Sequence, residues 1–346
     1  RPARDRPALS VVMRSRPRLI VVIGVVFTSL SAIFVRLSDA PSLVIAAWRM
    51  VFTTGLVLPL FLAERAGAAR RPAATAGTTG PGGTTGPGET RAPSLRAAVA
   101  LSVASGGFLA LHFALWITSL AYTSVASSTV LVTTHPIIVA MLGFVLLRER
   151  LTFRAVLYML LALAGSVVLV WGGLGAGGSA ALGNLLAFLG AVTVSAYMVL
   201  GRIVRRTLGV NSYTMIVYAV AAALLVIATV VVRVPLAPYP AREYVLFASL
   251  ALFCTMLGHS LFNWALKYVK PTMISTSILG EPVIASLLAV MIFSEFPEVT
   301  TVVGGVVILV GIFLFVREEA RLVRAERAGT DTRPGRGATA TDGRRS

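Results

Sequence analysis

Charge is what this sequence of 346 residues has least of: 14 acidic side chains stand against 31 Lys and Arg, 13% charged in all, beside 56% hydrophobic. With a mean hydropathy of +0.85, that scarcity excludes a soluble globular domain of ordinary make-up. A single cysteine, Cys254, excludes an intrachain disulfide and reads as a small packing residue. The three histidines form no His-Glu-x-x-His pattern, so no metal site is expected, and the absence of a P-loop removes an ATP engine. Gly173, Gly175 and Gly178 have the spacing of a dinucleotide fingerprint. They fall in a short connection between apolar runs, not on a strand-to-helix turn, so the match is chance and no cofactor is expected.

What is present is a succession of apolar runs of membrane-spanning length, at about 19–36, 42–63, 97–119, 125–147, 153–171, 181–201, 213–232, 244–266, 271–294 and 299–316. A net charge of +17 on a soluble chain would point to nucleic acid. Here the basic residues flank membrane runs, and no nucleic-acid partner is expected. Nearly all of them fall on alternate connections; the other set holds only Arg36, Arg233 and Arg242, with Arg49 inside the second run. The positive-inside bias then puts both termini in the cytoplasm of a multi-pass cell-membrane protein. The Arg-rich start before an apolar run has the outline of a signal peptide, but Ser29-Leu30-Ser31 is a weak cleavage match and a retained first helix is expected.

Residues 66–94 are mostly Gly, Pro, Thr and Ala and are expected to form a disordered cytoplasmic loop. Residues 1–18 and 317–346 are charged cytoplasmic ends, the latter prolonging the tenth helix at its start. Pro136 and Pro282 stand 146 residues apart, and the same shift lays Leu120 on Leu266, Tyr122 on Tyr268, His135 on Glu281, Glu149 on Glu295 and Gly165 on Gly311. The chain is therefore expected to be an all-α integral membrane protein of ten transmembrane helices. They form two five-helix units, 19–171 and 181–316. Five is odd, so the second unit is inverted, the pattern of secondary transporters with a midplane site. Small residues at every fourth position (Gly24, Thr28, Ala32; Gly106, Ala110, Ala114, Thr118; Gly183, Ala187, Ala191, Ser195) suit close helix packing within the chain.

These residues resemble the drug/metabolite transporter superfamily, in its EamA-type branch. The likeness rests on Arg49, Tyr122, Pro136 and Glu149 in the first half, and on Tyr268, Pro282 and Glu295 in the second. No Arg in the second half matches Arg49, and 66–94 is longer than the family's connection. The resemblance implies ten helices in inverted repeats and movement of a small-molecule substrate across the bilayer, often outward, without ATP. It names no substrate and no oligomeric state.

Glu281 is the candidate for coupling or substrate binding, being the only carboxylate so deep in an apolar run. Midplane carboxylates normally face a protein interior or a wet cavity. His135 and Glu281 both fall about 15 Å from a span edge and should share one cavity. His135 reads equally as a packing histidine. Each precedes a proline, which strips the donor from the Val132 and Ile278 carbonyls and is expected to kink the helix. Arg49, roughly 10 Å deep, either binds an anionic group of the substrate, snorkels outward or pairs with Asp39. His112, and His259 with Asn263, hold mirrored depths that suit gating contacts or satisfied interior groups. Trp116, Trp264, Tyr122 and Tyr268 line the path or anchor at the interface. Glu149 and Glu295 cap helices or pair with arginines. The reading is a secondary active exporter of a small metabolite or drug-like molecule, working by alternating access and coupled to protons through Glu281. A lipid translocase, a channel-like conductor and an intramembrane enzyme are the rivals.

Overall fold

Where no water is present, every backbone N–H and C=O must be satisfied within the protein, and an apolar run becomes a helix. The computed structural model describes residues 17–69, 92–119, 121–123, 128, 131–149, 151–169, 180–293 and 299–331. Among them every regular element is helical. In chain order they are α1 (Pro17–Arg36), α2 (Ser42–Ala69), α3 (Leu95–Ser119), α4 (His135–Leu147), α5 (Phe153–Leu169), α6 (Ala180–Val204) and α7 (Val210–Val231). Then come α8 (Ala241–Ala265), α9 (Pro271–Ile278), α10 (Glu281–Phe293) and α11 (Val299–Asp331). Seven stretches among the described residues are long and apolar enough to cross a membrane: α1, α2, α3, α6, α7, α8, and α9 with α10 as one span. α4 and α5 are apolar but shorter. The chain is a multi-pass helical membrane protein.

Two expectations change. Helix α2 runs on to Ala69, so 66–69 belong to a helix and not to a loop; alanine-rich sequence is the best helix former. Residues 70–91, 332–346, Gly173, Gly175, Gly178 and Glu295 lie outside the described residues. At the two prolines the helices break outright, where a kink was expected. Thr134 N–H bonds Leu131 O at 3.2 Å; Leu279 and Gly280 N–H bond Thr276 O (3.2 Å) and Ser277 O (3.0 Å). These tight three-residue closures end one helix, and each proline then falls in the first turn of the next, where its missing N–H has no helical acceptor to lose. His135 and Glu281 each therefore start a new helix.

The neighbours of each helix follow a pattern. Helix α3 packs on α6 and α8 on α1; α4 on α6 and α10 on α1; α3 on α7 and α2 on α8; and α2 packs on α7, α4 on α9, α5 on α11. With α9 and α10 taken as one span, exchanging the helices of residues 19–171 with those of 181–316 leaves this set of neighbours unchanged. One contact shows it at atomic scale. A Cβ on Gly165 would meet Ile308 N at 2.7 Å, and a Cβ on Gly311 would meet Ala162 N at 2.6 Å. The shift of 146 residues turns the first pair into the second. The small-residue stripes also pack within the chain: Gly24 faces Phe262, Thr28 faces Gly258, Gly106 faces Val217 and Gly183 faces Thr123.

Both glycines of the α5–α11 contact meet backbone, which cannot move aside as a side chain can. Gly311→Ala should lower stability by about 1–3 kcal/mol, the usual result of overpacking. Gly67→Ala, where a Cβ meets nothing within 4 Å, should be neutral or slightly stabilising. Thermal unfolding of the detergent-solubilised variants checks the contrast; equal midpoints would mean the helices can separate without cost.

Candidate functional site

Arg49 lies at the centre of the bundle with 1% of its surface exposed. Its Nε donates to Thr255 Oγ1 on α8 (2.9 Å), and Nη1 donates to Ser31 Oγ on α1 (3.2 Å). The guanidinium carbon sits 4.4 Å from the ring centroid of Phe113 on α3. Asp39 pairs instead with Arg242 at 3.4 Å on the exposed surface. Both the snorkelling and the Asp39 pairing are thus overturned: the fork turns inward, where neutral hydroxyls and a π face solvate it. Among the described residues no carboxylate lies within ion-pair distance of Arg49. Neutral partners compensate only part of the cost of burying a cation.

Thr255 reaches Arg49 from an unusual backbone. Leu250–His259 is a π-helix within α8, and the Thr255 hydroxyl also lies 3.3 Å from Leu250 O, five residues back. The wider turn carries Cys254, Thr255 and His259 together, and π turns concentrate at functional sites.

Glu281 opens α10, is walled in by protein and still keeps part of its surface accessible. Thr28 hydrogen-bonds its carboxyl, and Arg49 acts on it from beyond ion-pair distance. The Thr28 hydroxyl also lies 3.0 Å from Val25 O, which accepts Ser29 Oγ–H at 2.7 Å as well. A hydroxyl has one proton. While Thr28 donates to Val25, it can only accept from a protonated Glu281; when Glu281 is ionised, Thr28 can turn to donate to it. Ser29 keeps Val25 O satisfied in either case.

Two of the histidines have their tautomers set by a carbonyl. His112 Nδ1 is 3.0 Å from Gly190 O, and His135 Nδ1 is 3.0 Å from Val132 O. A carbonyl has no proton to give, so each Nδ1 donates and each neutral Nε2 is an acceptor. The Val132 carbonyl is the one that Pro136 deprives of its helical donor, and His135 replaces it. Trp116 stacks on His112 (6.1 Å between centroids, 2° between planes). Its indole N–H is buried with no hydrogen-bond partner among the described residues. His259 lies among Phe113, Phe262 and Tyr197, at 5.7, 6.1 and 6.5 Å, and remains partly accessible. Next to it runs a buried chain of donors. Tyr197 O–H donates to Asn263 Oδ1 (2.8 Å), Asn263 Nδ2 to Tyr218 (3.1 Å), Tyr218 to Ser260 (3.0 Å) and Ser260 to Met256 Sδ (3.9 Å).

Arg49, His112 and His259 all border the Phe113 ring, at 4.4, 5.1 and 5.7 Å; Glu281 acts electrostatically on Arg49 and His135 on His112, and Asn263 borders the group. Tyr122 and Tyr268 are 42% and 46% exposed, and the Trp264 ring lies tilted against Tyr268 with 4.5 Å between centroids. Sequence reasoning missed Ser31, Thr255, Thr28, Tyr197 and Tyr218. The tyrosines offered a signal, since a phenol in mid-span needs a polar partner. Among the described residues no group of His, Cys, Asp and Glu is placed to hold a metal ion.

A family model described as the EamA-like transporter family matches residues 16–171 and again 181–317. The uncharacterized transporter YyaM of Bacillus subtilis (strain 168) is 26% identical over 217 residues, 60% of this chain and 68% of that protein. An uncharacterized transporter of Clostridium kluyveri is 24% identical over 196 residues, 55% of this chain and 63% of its own length. A solved structure described only as "Crystal structure of protein" aligns with a TM-score of 0.68 at 19% identity, over 89% of this chain and 99% of that one. At that identity the likeness speaks for the fold alone.

Proposed function

The chain belongs to the EamA-like transporter family, and from that premise we propose a secondary active exporter of a small metabolite or drug-like molecule, coupled to protons. Ten spans, in two inverted copies with the basic connections and both termini cytoplasmic, would rock around the Arg49–Glu281 group. The exchange of neighbours between the copies supports this reading, as does the double match of the family model.

The observation that carries the site is a pair of ionisable groups of opposite sign, buried Arg49 from one copy and partly accessible Glu281 from the other, acting on each other without a direct ion pair. A transporter gains by this arrangement. Arg49 is held by hydroxyls that can fall back on their own helices, so an anionic group of the substrate meets a cation that no carboxylate has claimed. Glu281, with its switchable Thr28 contact, can hold or release a proton as the cavity changes sides. The His112 and His135 Nε2 atoms present acceptors for N–H or O–H groups of the cargo.

A panel of amino acids, nucleobases, sugars and cationic drugs should contain a ligand that raises the thermal midpoint of the purified protein. The same ligand should show counterflow in proteoliposomes, because a carrier exchanges and a channel does not. Uptake with no trans-stimulation would refute the carrier reading.

A further inference from the structure

Glu149 is a half-buried carboxylate that the transport site does not use, and it sits where the two copies meet at the basic end of the bundle. Its approach is unusual. Arg148 ends α4 with φ 55, a left-handed conformation that non-glycine residues rarely adopt. This turn folds Glu149 back over Gly143, and Glu149 Oε1 reaches Arg202 Nε at 3.7 Å. Arg202, in the last turn of α6, donates through Nη1 to Leu266 O, just past the end of α8, at 2.6 Å. Arg205, one turn further on, donates to Asn263 O at 3.0 Å. The helices joined here, α4, α6 and α8, carry His135, Tyr197 and His259. Lys270, at the entry to α9 and so to Glu281, pairs with Glu319 at 3.1 Å.

Between this ring and the site the bundle is packed shut. A Cβ on Gly201 would lie 2.8 Å from both Leu266 and the Tyr213 hydroxyl, and that hydroxyl is bonded to Ser105 at 2.7 Å. Tyr197, Asn263 and Tyr218 form the next layer inward.

We propose that Glu149 and Arg202 are the latch that holds the basic end of the transport path closed, and that their separation lets α4 part from α6 and α8 to expose the site on that side. The inference rests on the alternating-access reading. The closed latch is poised to open. Glu149 Oε2 is buried with no hydrogen-bond partner among the described residues. Burial also raises the Glu149 carboxyl above its ordinary range, against the opposing pull of Arg202, Lys270 and Arg206 and with a further push from Glu319.

The test needs no substrate. A chain carrying His259→Cys and Cys254→Ala places one thiol at the partly accessible centre. In proteoliposomes of known orientation, its rate of reaction with a membrane-impermeant methanethiosulfonate reports access from each end. The parent should react slowly from the basic end. Glu149→Gln and Arg202→Gln should each speed that reaction about tenfold or more without changing the rate from the other end. Arg242→Gln, at the opposite end, should leave the basic-end rate alone. If a glutamine variant does not fold, Glu149→Asp and Arg202→Lys, which keep the charges and disturb the contact, should give intermediate rates. Labelling from the far end, with basic-end rates equal in parent and latch variants, overturns the latch and leaves alternating access standing. No labelling from either end in any variant removes the aqueous path, and the latch with it.

Discussion

Arg49→Met is expected to fold with an unchanged or higher thermal midpoint and to lose transport by about 10- to 100-fold, the worth of one charge-assisted contact. The reasoning sets the cost of burying Arg49 against what holds it. Two hydrogen bonds to neutral hydroxyls and the Phe113 face compensate the cation in part. Neither hydroxyl is stranded when the guanidinium goes. Thr255 already reaches Leu250 O, and a helical serine can bond the carbonyl a turn back. A methionine fills most of the space and sets its sulfur against Phe113, so no large cavity remains. Replacing a buried charge by an apolar side chain of similar volume is often neutral or stabilising. A structural arginine would behave otherwise: the midpoint would drop and transport would fall only with the amount of folded protein. Thermal unfolding and counterflow, measured on one preparation, separate the two.

The second large effect concerns Glu281→Gln. Glutamine keeps the shape and a hydrogen bond to Thr28 but cannot exchange a proton. Counterflow, which needs no net proton movement, should survive within about tenfold of the parent, whereas accumulation driven by a pH gradient should disappear. The pH dependence of transport should flatten at the same time. Accumulation that persists in the Gln protein, with the parent's pH profile, would leave Glu281 as a packing residue and move coupling elsewhere.

Much of the architecture was legible because lipid leaves the backbone few options. The apolar runs became helices, and the internal shift that matched Gly165 to Gly311 marked two positions that touch each other's helices. Glu281 and Arg49 stood out because charge in an apolar run is rare, and both proved to be interior. What could not be read was partner choice. Arg49 had Asp39 ten residues away, yet the inward face of α2 and the exposed loop hold them apart, and Asp39 met Arg242 instead. The π stretch of α8 has no composition of its own, so the placing of Thr255 and His259 was invisible. Tyr197 and Tyr218 each signalled a need for a polar partner, but the sequence did not say that Asn263 would be the partner of both. The prolines announced a disturbance at His135 and Glu281, but a full break depends on the tight turns that Thr134 and Gly280 happen to make.

The central claim is that Arg49 of the first copy and Glu281 of the second serve one site. A double-mutant cycle on transport, with Arg49→Met, Glu281→Gln and the two combined, measures it directly. One shared site predicts that the double variant loses no more than the worse single variant, because residues that act as a unit are not additive. Losses that multiply, each substitution taking its full toll in the presence of the other, would mean two independent sites.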